Sequence, residues 1–213
     1  MAEFTDDFNR SNSNTVGNGW SEIQLSASDV RIDSNKLDFT TGANAAVAYR
    51  SPETGYGSKD ISIEIFWNKD NAAANTEYQG LSVTHDGSSR TFGRGMYLRF
   101  RCDTAGTDIE LQDRNGLGVI DSADFDFSVS TDYKIWWKIN SDWTQEVWIA
   151  EVGNDYPETA QLSYLTPFTP NNSTGEWAIS GRYGFEVDEV TYYDGAIDPP
   201  ASGTTFVASM QII

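Results

Sequence analysis

Carboxylates are the residues whose spacing most invites a chemical reading. Asp6 and Asp7 stand side by side near the start of the chain, and Glu186, Asp188 and Glu189 crowd the stretch FEVDEV. Paired carboxylates suit glycoside hydrolysis, where a nucleophile and an acid flank the scissile bond about 5 Å apart in retaining enzymes. On an extended FEVDEV, alternation puts Glu186 and Asp188 on one face and Glu189 on the other. Glu64, in ISIEIFW, is the single carboxylate of its strand. Nucleophilic chemistry has less to work with. His85 is the only histidine and Cys102 the only cysteine, and a Cys–His pair needs the two to converge with a third group. They read as a strand-end histidine and a core cysteine. GRGMYL follows a Gly-rich loop but leads into a strand, so it offers no helix N-terminus to a phosphate.

Two loops, DRNG and NKDN, bring oxygen ligands close together. Neither has EF-hand spacing, and Asp and Asn are ordinary turn formers. No metal ligands are assigned, no cofactor is required, and calcium is kept as an optional ion.

Aromatic and basic residues on strand faces that look polar are the stronger lead. A carbohydrate site combines flat aromatics with hydrogen-bonding and charged side chains. Trp136, Trp148, Tyr97, Arg99 and Arg101 fall on faces read as non-core, and Trp143 sits at a hairpin tip. The competing reading packs these tryptophans under a long loop or in a subunit interface, where Trp, Tyr and Arg are enriched.

The elements that carry these residues are strands. Alternation recurs in DISIEIFWN, with Ile61, Ile63, Ile65 and Trp67 on one face, and in MYLRFRC, with Met96, Leu98, Phe100 and Cys102 on one face. DYKIWWKINSDWTQEVWIAEV reads as a hairpin. A loop of Ser141 to Trp143 sets Ile135 against Ile149, Trp137 against Val147, Lys138 against Glu146 and Trp136 against Trp148. A slip of one residue would move the whole apolar set to the wrong face. Further strands are expected at DVRIDSNKLDFT, AAVAYRS, YQGLSVTHD, GEWAIS, RYGFEV and TTFVASMQII. No useful helical period and no internal repeat appears.

Composition limits the partners. The 213 residues fit a single domain spanning 1–213. With 32 acidic residues against 14 basic ones the net charge is −18, which disfavours nucleic acid and anionic membranes. A lone cysteine allows no internal disulfide. MAEFTDDF has neither the basic nor the apolar region of a signal peptide, and no apolar run is long enough to span a membrane. The chain is therefore expected in the cytosol, or in a particle assembled there.

Several stretches together resemble the concanavalin A-like (laminin-G-like) jelly rolls of bacterial surface proteins and bacteriophage virion proteins. They are DDFNR...VGNGW, NKLDF, AAVAYRS, GLSV...YLRFR...IELQDRNG, TDYKIWWKI, GRYGFEV and TTFVASMQII. The resemblance implies an all-β sandwich of about a dozen antiparallel strands, with carbohydrate binding as its commonest use. Glycanases of this fold carry a Glu-x-Asp-x-x-Glu strand, which FEVDEV does not match, so the chain is read as non-catalytic. Such domains often have an acidic residue in the last strand beside the opening DDF. FVASMQI has none, which weakens any shared calcium site at Asp6 and Asp7. The expectation is a virion protein (phage tail-fibre, tail-tip or head-decoration component) that binds host glycans or the host surface, contacts other virion proteins and forms a homo-oligomer. A purely structural virion protein and a glycan-cleaving enzyme are the alternatives.

Overall fold

The computed structural model describes residues 3–40, 45–53, 57–69, 79–88, 95–103, 106–113, 118–170 and 175–201. Among them are fifteen strands and no helix. The first eight are β1 (Glu3–Asp6), β2 (Ser21–Ile23), β3 (Val30–Asp33), β4 (Lys36–Phe39), β5 (Ala46–Arg50), β6 (Ile61–Lys69), β7 (Gly80–His85) and β8 (Met96–Asp103). The remainder are β9 (Gly106–Asp113), β10 (Gly118–Asp124), β11 (Tyr133–Ile139), β12 (Gln145–Glu151), β13 (Leu162–Tyr164), β14 (Glu176–Gly181) and β15 (Phe185–Asp194). They form two antiparallel sheets. An eight-stranded sheet runs β13-β12-β11-β6-β15-β4-β3 with β1 also on β15, and a seven-stranded sheet runs β10-β9-β8-β7-β14-β5-β2. The all-β sandwich expected from the alternation is the fold observed.

The β11–β12 hairpin has the register that its sequence dictates. All seven pairs match, from Tyr133 opposite Glu151 to Ile139 opposite Gln145. β6 continues the same logic on the other side of β11, setting Ile61, Ile63 and Ile65 against Ile139, Trp137 and Ile135. One buried cluster takes side chains from both sheets. At its centre the Trp67 indole of β6 stacks on Phe100 of β8, with ring centroids 5.3 Å apart, and also packs against Phe127, Tyr133 and Phe185.

Four details differ from the sequence expectation. DVRIDSNKLDFT is a hairpin, β3 and β4, rather than one strand. Its two turn residues, Ser34 and Asn35, have φ of 53° and 63°, the left-handed pair that two-residue hairpins favour. β15 is ten residues long and extends well past RYGFEV. Its register shifts at Asp188, between Val187 and Glu189. That one-residue bulge keeps Val187 and Val190 buried while leaving Glu189 half-buried beside Glu186 and Asp188, so strict alternation misplaces Glu189. Trp143, expected to be bare at the hairpin tip, is only 3% exposed and belongs to the main core. Its φ of 68° costs a bulky residue about 1–2 kcal/mol, which burial of the large ring outweighs. TTFVASMQII lies outside the described residues, as do Asp70 and Asn71 of NKDN and Arg114, Asn115 and Gly116 of DRNG, and the side chains of Arg101 and Cys102 lie outside the described ones.

The opening stretch is organised by Asp6, the last residue of β1. Its carboxylate is 2% exposed. Oδ1 accepts from the Phe8 N–H at 2.9 Å and from Arg10 at 2.7 Å. Oδ2 accepts from Arg10 at 3.1 Å, Asn18 at 3.1 Å and the Trp20 indole N–H at 2.8 Å. Arg10 also donates to the Val16 carbonyl. A carboxylate offers about four lone-pair sites, so none is left for a metal ion. Burial pushes the Asp6 carboxyl up, but the bonds from Arg10, the Phe8 N–H and Asn18 outweigh it and hold the group below its ordinary value.

The sign of that shift fixes a pH window. A depressed folded-state pKa contributes stability that is present above the unfolded value, about 3.9, and is lost as pH falls through the folded one. Asp6→Asn should cost about 3 kcal/mol at pH 7, because Arg10 and Trp20 lose their anionic acceptor. Urea unfolding from pH 7 down to pH 2 should show the gap between wild type and variant closing below about pH 4. A constant gap would refute the assignment.

Candidate functional site

Sheet pairing lays out the outer face of the eight-stranded sheet in rows. Lys138, Glu146 and Ser163 stand side by side on β11, β12 and β13, and Trp136 and Trp148 form a neighbouring row. Strands are ~4.8 Å apart, so Lys138 and Ser163 lie ~10 Å from each other. Glu64 of β6 is opposite Trp136.

Two connections cross this face. Residues 152–161 follow β12, and residues 195–201 follow β15. The second is tied down by backbone bonds: the Trp136 indole N–H donates to the Ile197 carbonyl at 2.9 Å, and the Ile197 N–H donates to Ser62 Oγ at 2.8 Å. Beneath the two, Trp136 stacks on Tyr193 with centroids 4.9 Å apart and meets Tyr156 edge-on at 6.2 Å. Trp136, Trp148, Ala150 and Tyr156 form a second buried cluster, separate from the core between the sheets.

Glu64 lies within this cluster. The Tyr156 hydroxyl donates to Glu64 Oε1 at 2.8 Å and the Tyr193 hydroxyl to Oε2 at 3.2 Å. Burial pushes the Glu64 carboxyl up, and it stays above its ordinary value although the two tyrosines and the Lys134 charge pull it down. Burial and the Glu64 charge push both phenols well up, so they remain donors. The Lys134 ammonium lies 4.4 Å from the centre of the Tyr156 ring.

Where the two connections diverge they leave a groove of roughly 790 Å³, within the size range of small-ligand sites. Lys138, Glu146, Trp148 and Ser163 make its floor, and residues 156–160 and 198–201 make its walls. The Lys138 ammonium bonds Glu146 at 2.9 Å and Asp198 at 2.8 Å. Burial pulls its pKa down, but these two carboxylates more than offset that and raise it.

The sequence-predicted residues do not assemble into one site. Trp136 and Trp148 share a face as expected, but both are covered by the chain's own connections and are only 2% and 5% exposed. Tyr97 and Arg99 lie on the outer face of the other sheet, on the far side of the sandwich. Tyr97 is fully buried with its hydroxyl on the Gln79 carbonyl, and Arg99 is paired with Glu110. Around them Arg99 Nε, Gln112 Oε1 and Ser180 Oγ are buried without hydrogen-bond partners among the described residues. Trp143 is inside the core, and the Arg101 side chain lies outside the described ones. Alternation assigned the faces correctly but carries no information about what lies over them. Ser163, Glu158 and Asp198 were missed. The available signal was Pro157 and Pro199–Pro200, which mark two connections next to the tryptophan face. Among the described residues, no group of three or more His, Cys, Asp or Glu is arranged to hold a metal. Glu64 and Glu186 do not converge either. Glu186 pairs with Asn68, four residues along β6 from Glu64, or ~13 Å at the rise of a strand. That exceeds the spacing of a glycosidase pair.

No protein-family model matches the chain, and no curated protein matches it. Solved structures do. The potassium-bound carbohydrate recognition domain of Emp46p is 16% identical, with a TM-score of 0.59 over 84% of this chain and 90% of that one. The carbohydrate recognition domain of Emp47p is 13% identical, with a TM-score of 0.60 over 91% and 95%. The exoplasmic/lumenal domain of VIP36, bound to Ca2+ and Man3GlcNAc, is 9% identical, with a TM-score of 0.62 over 85% and 86%. The fold is thus a lectin-type jelly roll of the concanavalin A-like kind.

The Glu64 cluster makes its own prediction. A carboxyl whose pKa is raised on folding contributes stability that is full below its unfolded value, about 4.3, and lost as pH rises through the folded one. Urea midpoints of wild type should therefore fall relative to Glu64→Gln as pH rises from about 4 to about 7. Parallel profiles would mean that burial does not govern Glu64.

Proposed function

We propose that this chain is a non-catalytic carbohydrate-binding domain whose ligand lies in the groove beside Lys138. The observation that carries the reading is that groove: a roughly 790 Å³ opening with hydrogen-bonding groups on its floor and proline-edged walls, on a fold shared with carbohydrate recognition domains. Ser163 Oγ, the Glu146 carboxylate and the Lys138 ammonium are hydroxyl partners, while Pro157, Pro199 and Ala160 face the apolar side of a sugar. Because Trp148 is only 5% exposed, affinity comes from polar contacts and shape. A calcium ion is supported only by likeness: VIP36 was solved with Ca2+ and glycan. A virion setting, with homo-oligomeric assembly and host attachment, is supported by the sequence resemblance alone. So is its purely structural alternative.

A second reading puts the sugar on the outer face of the seven-stranded sheet. The three unpartnered polar atoms around Arg99 favour it. One experiment separates the two. The purified chain is screened on a glycan array with and without EDTA, and the best ligand is titrated against Ser163→Trp and Gln112→Leu. The groove reading expects Ser163→Trp to weaken binding roughly tenfold or more, about 1.4 kcal/mol, and Gln112→Leu to leave it unchanged. The reverse result moves the site to the other face. An array on which nothing binds overturns the carbohydrate reading.

A further inference from the structure

Charge within the groove carries a narrower conclusion. We infer that it selects sugars bearing a free amino group, of the glucosamine type, and rejects carboxylated ones. The inference rests on the carbohydrate reading above and names the ligand class of the same site.

Four charged side chains line the groove: Lys138, Glu146, Glu158 and Asp198. One is positive and three are negative. The single cation is already occupied, since its ammonium bonds Glu146 on the floor and Asp198 on the wall. A carboxylated sugar could reach Lys138 only by displacing one of them, which would leave two like charges facing each other at short range. An ammonium group meets the opposite situation. Glu158 on one wall forms no ion pair among the described residues, and Asp198 on the other remains largely exposed beyond its bond to Lys138, its side chain 73% accessible. With Glu146 on the floor, a carboxylate faces an entering amine whichever way the ring lies.

Two further observations favour charge as the discriminating property. The indoles that would give a charge-independent stacking surface are covered, Trp136 to 2% and Trp148 to 5% exposure, so stacking cannot dominate recognition here. The molecule as a whole carries a net charge of −18, and its field attracts cationic ligands and repels anionic ones before contact.

The test uses the full chain and three oligosaccharides of equal length, titrated by calorimetry at about 0.02 M and about 0.5 M salt. They are an oligomer of glucosamine, its fully N-acetylated counterpart and an oligogalacturonate. Binding should be roughly tenfold tighter for the amine than for the acetylated oligomer and undetectable for the carboxylated one, with the amine's advantage shrinking at high salt. Glu158→Gln, on an exposed wall, should reduce that advantage, read as the ratio of the two affinities, at least threefold. Equal binding of all three, or a preference for the carboxylated oligomer, overturns the inference while the carbohydrate reading stands. An amine advantage that survives in Glu158→Gln combined with Asp198→Asn overturns its placement in the groove. If none of the three binds and a broad glycan array is also blank, the carbohydrate reading itself has failed.

Discussion

Five hydrogen bonds on the carboxylate of Asp6 join the two halves of the sandwich at one end. Asp6 closes β1 in the eight-stranded sheet, and its partner Trp20 immediately precedes β2 in the seven-stranded one. The chain between them has no strand of its own among its polar residues 9–19. It is held instead by Arg10, which grips Asp6 at one end of its guanidinium and the Val16 carbonyl at the other. Phe8, Val16 and Trp20 are thereby turned into the core. A charge buried this deeply is tolerable because every acceptor site on it is filled. The same saturation answers whether the opening acidic pair is chemical or architectural: Asp6 holds the fold together, and Asp7 caps a local turn through the Asn9 N–H.

The outer face of the eight-stranded sheet is built on a different principle. There the chain covers its own aromatics with two connections and buries a carboxylate between two phenols. Asp6 and Glu64 make an instructive pair. Both are buried acids with hydrogen-bond donors, yet their pKa values move in opposite directions. Asp6 has a guanidinium in direct contact and a backbone N–H, whereas Glu64 has neutral hydroxyls and a more distant ammonium. Neutral donors do not compensate for desolvation as a contacting cation does.

Much of the sandwich was legible in the sequence, and the reasons are specific. β6, β11 and β12 alternate cleanly because one face meets the core, and the charge pair Lys138–Glu146 left the hairpin only one sensible register. β10 and β13 were not legible. β10 is an exposed edge with scattered carboxylates and β13 has only three residues, so neither presents enough pattern to recognise. The bulge at Asp188 was invisible because a single inserted residue breaks alternation without leaving a compositional mark. The site was harder still. Tryptophans on a polar-looking strand face were taken for a ligand platform, but the residues that decide their exposure, Tyr156 and Ile197, lie in connections whose path alternation does not specify. Trp143 failed for a related reason: a hairpin tip is exposed by default, and only the backbone twist at that residue places its ring in the core.

The construction of the groove divides its parts by how freely they can change over evolutionary time. Its floor residues, Lys138, Glu146 and Trp148, are interleaved one for one with core residues along β11 and β12, so the packing of the sandwich constrains every neighbour they have. Its walls are spans of connection that contribute no strand to either sheet. On the carbohydrate reading, a lineage carrying this fold could acquire a new binding preference by rewriting residues 157–160 and 198–201, provided that Tyr156 keeps its place over Glu64 and Trp136. On that reading, recognition would be a replaceable attachment on a fixed frame.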